Sequence, residues 1–161
     1  HVRSRRQRQM CIRDSSMCVW VSGLLMTACS SHKDEPQLKE TANGFAATFF
    51  NWQLNEALPY CTPESKKWIE YAGSQITQED IDLLKAQDEG ASHQLENINY
   101  QSGDTTATVV VKVKNVMLLD SIGKSGKMMN KASFQIHLCY RNKQWKVLLT
   151  SLPRPMRNNE I

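Results

Sequence analysis

The sequence predicts one α+β domain, in which three helices are followed by a curved four-stranded antiparallel sheet. Apolar residues recur at helical spacing from Pro36 to about residue 90. From Ser92 onward the apolar period changes to two, which is typical of strands with one buried face. Because every predicted helix precedes every predicted strand, we expect the helices to cover one face of the sheet.

The first and longest helix is predicted from Pro36 to about Leu58. Proline is well suited to the first turn of a helix, where its missing N–H costs no hydrogen bond. Apolar residues then follow at intervals of three or four, which places them on one face. These residues are Leu38, Ala42, Phe45, Phe49 and Trp52.

Two shorter helices are predicted next, each from its N-terminal capping residue. Thr62 precedes Pro63, a cap followed by a first-turn proline, and an apolar set at residues 68–72 continues the helix. Thr77 and Asp80 approximate a capping box with Asp in place of Glu, and the element ends by Gly90.

The strands are predicted over residues 92–100, 105–119, 131–141 and 144–151. In the second strand the apolar positions change parity between Val113 and Val116, so a bulge near Lys114-Asn115 is expected to restore a common face. Residues 120–130 are predicted to form a loop. Asn142-Lys143 is predicted to form the turn of the last hairpin.

The last hairpin separates an apolar face from a polar one. The apolar face is predicted to hold Phe134, Ile136, Leu138, Tyr140, Trp145, Val147 and Leu149. His137 and Cys139 fall on the other face, so Cys139 is not expected to reach a helix. Cys61 and Cys139 could form a disulfide in an exported protein, but we predict two separate thiols.

The segment that precedes the domain resembles the signal of a bacterial lipoprotein. A short apolar run ends in Leu24-Leu25-Met26-Thr27-Ala28-Cys29, which resembles a lipobox, and this implies lipidation of Cys29. The run is well below the ~20 residues that span a bilayer. Ser30 and Ser31 follow Cys29, and the resemblance implies outer-membrane delivery when no Asp follows the cysteine directly.

These signals divide the chain into five predicted segments. Residues 1–15 lack an initiating Met and resemble translated adapter sequence, although a natural Arg-rich signal region stays open as an alternative. Residues 16–28 form the apolar run and lipobox, 29–35 the lipidated cysteine and tether, 36–152 the domain and 153–161 a C-terminal tail. Lys33, Asp34 and Glu35 resemble the export signal of surface lipoproteins, which implies display on the cell exterior.

The charge distribution argues against nucleic-acid binding. The chain has a formal net charge of +4, but residues 1–14 contribute all of it through five arginines and Asp14. Residues 29–96 carry 5 lysines and 12 acidic residues, whereas residues 97–161 carry 10 basic and 3 acidic residues. This split predicts a polar molecule but does not identify a partner.

The sequence contains no pattern typical of a catalytic, metal-binding or cofactor-binding site, so we predict none of these sites. His137 is a lone histidine without an orienting carboxylate, and His93 lies at the start of a predicted strand. Neither Cys-x-x-Cys nor His-x-x-x-His occurs. The glycines at positions 123 and 126 precede a predicted strand, so no helix N-terminus is available to bind phosphate there.

A cavity for an apolar ligand is the one candidate binding site. The aromatic residues Phe45, Phe49, Trp52 and Trp68 could line it, because a curved sheet closed by one long helix tends to leave a hollow. The alternative is that these side chains are ordinary core residues.

The order of elements resembles the nuclear-transport-factor-2-like (cystatin-like) architecture, in which one long and two short helices close a cone-shaped sheet. More particularly, residues 36–152 resemble small lipoproteins of Bacteroidota that carry a domain of unknown function, the family numbered 4878. The residues that carry this resemblance are Phe49-Phe50-Asn51-Trp52, Glu56-Ala57, Cys61-Thr62-Pro63-Glu64-Ser65 and Trp145-Lys146-Val147.

The sequence therefore predicts a membrane-anchored envelope lipoprotein with a non-catalytic domain. Its expected partner is a small apolar ligand or an envelope protein. Two other hypotheses remain open, which are an enzyme of the same fold with an acid/base pair in the cone and an envelope interaction or immunity protein.

Overall fold

The computed structural model describes residues 34–101, 103–119 and 123–157 of the chain. Cys29 with the lipobox, and Lys33 of the predicted export signal, lie outside the described residues. Within the described residues, no helix is long and apolar enough to cross a membrane.

The described residues form helices first and an antiparallel sheet second, which confirms the predicted α+β class. The helices are α1 (Asp34–Phe49), α2 (Leu54–Ala57), α3 (Lys66–Gln75) and α4 (Gln78–Lys85), with 3₁₀ turns at Leu58–Tyr60 and Pro63–Ser65. The strands are β1 (Ser92–Asn99), β2 (Thr106–Leu118), β3 (Lys127–Arg141) and β4 (Gln144–Val147). They pair in the order β1-β2-β3-β4, each antiparallel to its neighbour.

Helix α1 packs its apolar face on the sheet, as its residue spacing predicts. Leu38, Ala42 and Phe45 are fully buried, and the Thr41 hydroxyl donates a hydrogen bond to the Trp145 carbonyl oxygen at 3.2 Å. This bond ties the middle of α1 to β4. Gly44 allows the Tyr60 ring to approach, since a Cβ there would lie 2.3 Å from the ring.

The prediction that this helix continues to Leu58 is wrong. Helix α1 ends at Phe49, and Trp52 adopts a left-handed conformation with φ of 60°, which a continuous helix cannot contain. Asn51 stabilises the break: its side-chain amide donates to the carbonyl oxygens of Ala47 (2.8 Å) and Ala91 (3.0 Å), and its oxygen accepts from the Ala91 N–H at 2.8 Å. The end of α1 is thereby fixed to the start of β1.

The first and last boundaries of the domain also differ from the prediction. Asp34 and Glu35 belong to the first turn of α1 rather than to a tether, because acidic residues interact favourably with a helix N-terminus. Residues 153–157 are not a separate tail. Pro155 pairs with Phe134, and the Met156 N–H donates to the Ser133 carbonyl oxygen at 2.8 Å.

The expected bulge near Asn115 is replaced by a local twist. The pairing of β2 with β3 keeps one register from Thr106 to Leu118, but Asn115 has φ of 54°. This residue changes the parity of the strand, so that Val113 and Val116 are both buried. The register shift lies in β1 instead, between Leu95 and Asn97.

Strand β3 begins earlier than predicted, at Lys127, so the loop before it is shorter. The turn at Asn142-Lys143 is confirmed, with φ of 52° and 61°, as a two-residue turn with two left-handed residues requires. The apolar face of the hairpin is buried as predicted, except for the half-buried Tyr140.

Strand β4 is held from its far side by the segment around the second 3₁₀ turn. The Thr62 N–H donates to the Val147 carbonyl oxygen at 2.9 Å. The Ser65 hydroxyl donates to the same oxygen at 3.2 Å and accepts from the Leu149 N–H at 2.8 Å. Because these groups are buried, the bonds satisfy polar atoms that would otherwise destabilise this end of the core.

Both cysteines are buried free thiols, in agreement with the predicted pair of separate thiols. Burial raises the pKa of Cys61 to about 12, against a smaller lowering by the charge of Lys146. Burial also raises the pKa of Cys139. Cys139 is buried even though it lies in the polar phase of β3, where Gln135 and His137 are exposed.

Candidate ligand-binding cavity

A cavity of about 700 Å³ lies where α1 has ended and the paired strands β2 and β3 continue. Its volume falls in the range that binds small molecules in other proteins. It is lined from four directions: the end of α1, helix α3, the paired ends of β2 and β3, and the C-terminal segment. The lining residues from the helical half are Phe49, Phe50, Trp52, Tyr71, Ala72 and Gln75.

The sequence predicts that four aromatic residues line a cavity, and two of the four line this one. Phe49 and Trp52 line the cavity. Phe45 instead lies in the closed core with no exposed surface. Trp68 lies outside the cavity, with its ring edge-on to Tyr71 at 6.4 Å and the Lys67 ammonium 5.5 Å above it.

The inner wall of the cavity is aromatic. The rings of Phe49 and Phe50 meet edge to face at 5.4 Å, and Phe50 packs against Phe134 at 4.5 Å. The break in α1 produces this arrangement, because the chain turns at Trp52 and carries the indole to the cavity side. These rings give an apolar ligand a rigid surface.

The opposite wall contains methionines from the paired ends of β2 and β3. Met117 is buried and faces its register partner Met128, while Met128 and Met129 remain more than a third exposed. Thioether side chains are flexible and adapt to apolar groups of varied shape. The wall can therefore adjust to a ligand, unlike the aromatic side.

Asp80 fixes the start of β3 next to this wall. Its carboxylate accepts hydrogen bonds from the Gly126 N–H at 2.6 Å, the Thr77 N–H at 2.8 Å and the Thr77 hydroxyl at 2.9 Å. The predicted capping box at Thr77 is thus confirmed. Gly126 also gives Met117 space, since a Cβ there would lie 2.9 Å from the Met117 Cγ.

Asp80 has no exposed surface, yet it is held as a carboxylate. Burial raises the pKa of Asp80, but the hydrogen bonds from Thr77 and Gly126 together lower it by a larger amount. The pKa therefore lies below its ordinary value. The Gly126 N–H is therefore occupied by a protein carboxylate.

Three cations line the cavity: Lys127 at the start of β3, and Arg154 and Arg157 in the C-terminal segment. Both arginines are exposed to solvent. Sequence reasoning missed these residues because it treated residues 153–161 as a tail and Lys127 as part of a loop. The Pro153 and Pro155 pair was the available signal, since prolines restrict the backbone and hold a segment extended.

The two described histidines of the domain lie away from the cavity. His137 is exposed and contacts the Thr108 hydroxyl at 3.3 Å, and His93 contacts the Asn43 side-chain oxygen at 3.1 Å. Burial lowers the pKa of His93. Within residues 34–101, 103–119 and 123–157, no cluster of three or more His, Cys, Asp or Glu side chains could hold a metal ion.

A second, more polar depression of about 420 Å³ shares Met128 and Met129 with the cavity. Asp88 and Glu89 line this depression but not the cavity. The described lining of the first cavity contains cations and no carboxylate, whereas that of the second contains carboxylates and no cation.

No protein-family model and no curated protein sequence matches the chain. Among solved structures, one similar chain is a candidate NTF2-like transpeptidase from Campylobacter jejuni, with 18% identity and a TM-score of 0.45. The match covers 70% of this chain and 97% of the other. The helices followed by a four-stranded antiparallel meander are the α+β arrangement that the sequence predicts.

Proposed function

We propose that this chain is a lipid-anchored envelope protein whose domain binds a small apolar ligand in the cavity at the end of α1, without catalysing a reaction. The observation that carries the proposal is the cavity itself. It has a rigid aromatic wall, an adaptable methionine wall and a volume of about 700 Å³.

The titratable side chains around the cavity favour binding over acid/base chemistry. The described lining offers Tyr71, Lys127 and two arginines. Arginine remains protonated at physiological pH and acts as a fixed cation rather than a proton carrier. These groups are suited to hold and orient a ligand.

The anchor and the location rest on the signal before the domain. The lipobox resemblance at Cys29 supports lipidation, and acyl chains contribute ~0.8 kcal/mol per buried CH₂ to membrane binding. The residues after Cys29 support delivery to the outer membrane. Lys33, Asp34 and Glu35 support display on the cell surface, in a lipoprotein of the Bacteroidota type.

Binding can be tested with Nile red, a neutral dye whose fluorescence rises in apolar surroundings. We use the full chain with Cys29→Ser, which cannot be lipidated. Gln75→Trp should place an indole in the cavity and weaken binding, because Gln75 lines it from α3. Ser74→Trp, at the exposed neighbouring position, is the matched control. Saturable binding that Gln75→Trp weakens and Ser74→Trp preserves supports the proposal; the absence of saturable binding contradicts it.

Surface display can be tested by protease treatment of intact cells that express the complete chain. Changing Lys33, Asp34 and Glu35 to Ala should protect the domain, whereas the wild-type domain should be digested. Since Glu35 also pairs with Lys39 at 2.7 Å, Lys39→Ala is the control that removes this pair and keeps the signal. Protection of the wild type would contradict surface display.

A further inference from the structure

The cationic residues on the cavity indicate a charge preference that an apolar cavity alone would not have. Arg154 and Arg157 lie three residues apart on the segment that follows β4, and both line the cavity. Lys127 lines it from the start of β3. The described lining thus combines apolar walls with three positive charges.

The segment that carries the arginines is fixed to the sheet. Pro155, between the two arginines, pairs with Phe134, and Phe134 itself lines the cavity. The next residue, Met156, donates its N–H to the Ser133 carbonyl oxygen at 2.8 Å. Because two backbone contacts hold the segment against β3, Arg154 and Arg157 are placed beside the apolar walls rather than distributed over a free tail.

Three described acidic residues near the methionine wall do not line the cavity. Asp80, beside Met117, has both carboxylate oxygens in hydrogen bonds to Thr77 and Gly126. Asp88 and Glu89 line the second depression, which shares Met128 and Met129 with the cavity. Neither set lines the cavity, so the charged side chains of its described lining are all basic.

We infer that the ligand is an anionic amphiphile with a single hydrocarbon chain, whose chain occupies the apolar cavity and whose carboxylate or other acidic head group contacts Arg154 and Arg157. The inference rests on the proposed binding function and specifies its ligand class. A guanidinium presents its donors in a fork that matches a carboxylate, and such bonds are stronger than neutral ones. A ligand of this kind uses both the apolar walls and the cations.

The test compares three ligands with the same chain and different head-group charge: dodecanoate, dodecan-1-ol and dodecyltrimethylammonium. Each is titrated below its micellar concentration into the full chain with Cys29→Ser, with tryptophan fluorescence as the signal. We expect dodecanoate to bind about tenfold more tightly than the alcohol, and the ammonium ligand to bind most weakly. Added salt should reduce this preference, because the arginines are exposed.

The variant Arg154→Gln with Arg157→Gln should lower the affinity for dodecanoate about tenfold and leave the alcohol almost unchanged. The matched control is Arg141→Gln with Lys143→Gln, which removes the same charge at the exposed β3–β4 turn, where Arg141 pairs with Glu64 at 2.7 Å. The control should keep the wild-type preference for dodecanoate.

Other outcomes separate this inference from the proposed function. Equal binding of all three ligands would overturn the charge preference and leave apolar binding supported. An anion preference that persists in the Arg154 and Arg157 variant would overturn the assignment of these residues. Failure of every ligand to bind would contradict the proposed function and this inference with it.

Discussion

Phe45 and Phe49 lie one turn apart on α1 and their rings stack at 5.0 Å, yet they belong to different regions of the molecule. Phe45 has no exposed surface and packs in the closed core with Trp145. Phe49 lines a cavity. The closed region and the open region therefore meet within a single turn of the helix.

The difference follows from element length and from what covers the sheet. Over the closed region, α1 covers the sheet and the Thr62–Ser65 segment bonds to β4 from the other side. Strands β2 and β3 are 13 and 15 residues long, and they continue past the point where α1 ends. Side chains at those strand ends are covered incompletely, which leaves space.

The largest expected contrast between the regions is in stability. Trp145→Ala should lower the free energy of unfolding by about 3–5 kcal/mol, because Trp145 is 1% exposed and fills the closed core. Trp52→Ala should cost only about 1 kcal/mol, since the half-buried indole borders a cavity and its burial is partial. Urea unfolding of both variants measures this, and equal losses would contradict the division into two regions.

A smaller effect on stability is expected at Asp80, which fixes the start of β3 in the open region. Asp80→Asn should lower stability by about 1.5–3 kcal/mol, because charge-assisted hydrogen bonds to Thr77 and Gly126 are weakened. Asp82→Asn, an exposed change on the same helix, should cost little. If both variants melt at the same temperature, Asp80 does not hold the start of β3.

The same residue gives a pH dependence. The pKa of Asp80 is lowered in the folded state from its ordinary value of 3.8, so its contribution is present above that value. This contribution is lost as the pH falls through the lower folded pKa. Wild-type stability should therefore fall more steeply in acid than that of Asp80→Asn. Parallel pH profiles of the two proteins would contradict this.

The smallest effect is expected on the polar outer face of the sheet. His137→Gln should change stability by less than about 1 kcal/mol, because His137 is exposed and the one described hydrogen bond of its side chain is to Thr108. Thermal melting checks this. A large loss would mean that this face is covered in the molecule and would remove the contrast between the two faces of β3.

Most of the fold could be predicted from the sequence because the signals that indicate it are local. Helical spacing, the capping box at Thr77 and the two-residue turn at Asn142 each depend on neighbouring residues, and all three are found. The end of α1 could not be predicted from local signals. Its break depends on Asn51 bonding to Ala91, forty residues away, and the apolar spacing through Trp52 gave no sign of it.

The cavity was predictable only in part, for the same reason. Phe49 and Trp52 stand out as aromatic residues on a helix face, whereas Arg154 enters the site through a backbone pairing of Pro155 with Phe134. Residues that contribute through such long-range contacts leave no periodic pattern in the sequence. All three cavity cations come from the basic half of the chain, residues 97–161. The excess of basic residues in that half did not by itself indicate which of them line a cavity.

The central claim, that the open region holds a ligand, is tested most directly by mass spectrometry of the full chain isolated from cell envelopes. Spectra under native and denaturing conditions differ by whatever is bound without a covalent bond. We predict a mass difference equal to one acidic amphiphile per chain, which is lost in Gln75→Trp and kept in Ser74→Trp. Identical native and denatured masses for the wild type, with no ligand retained, would contradict the account.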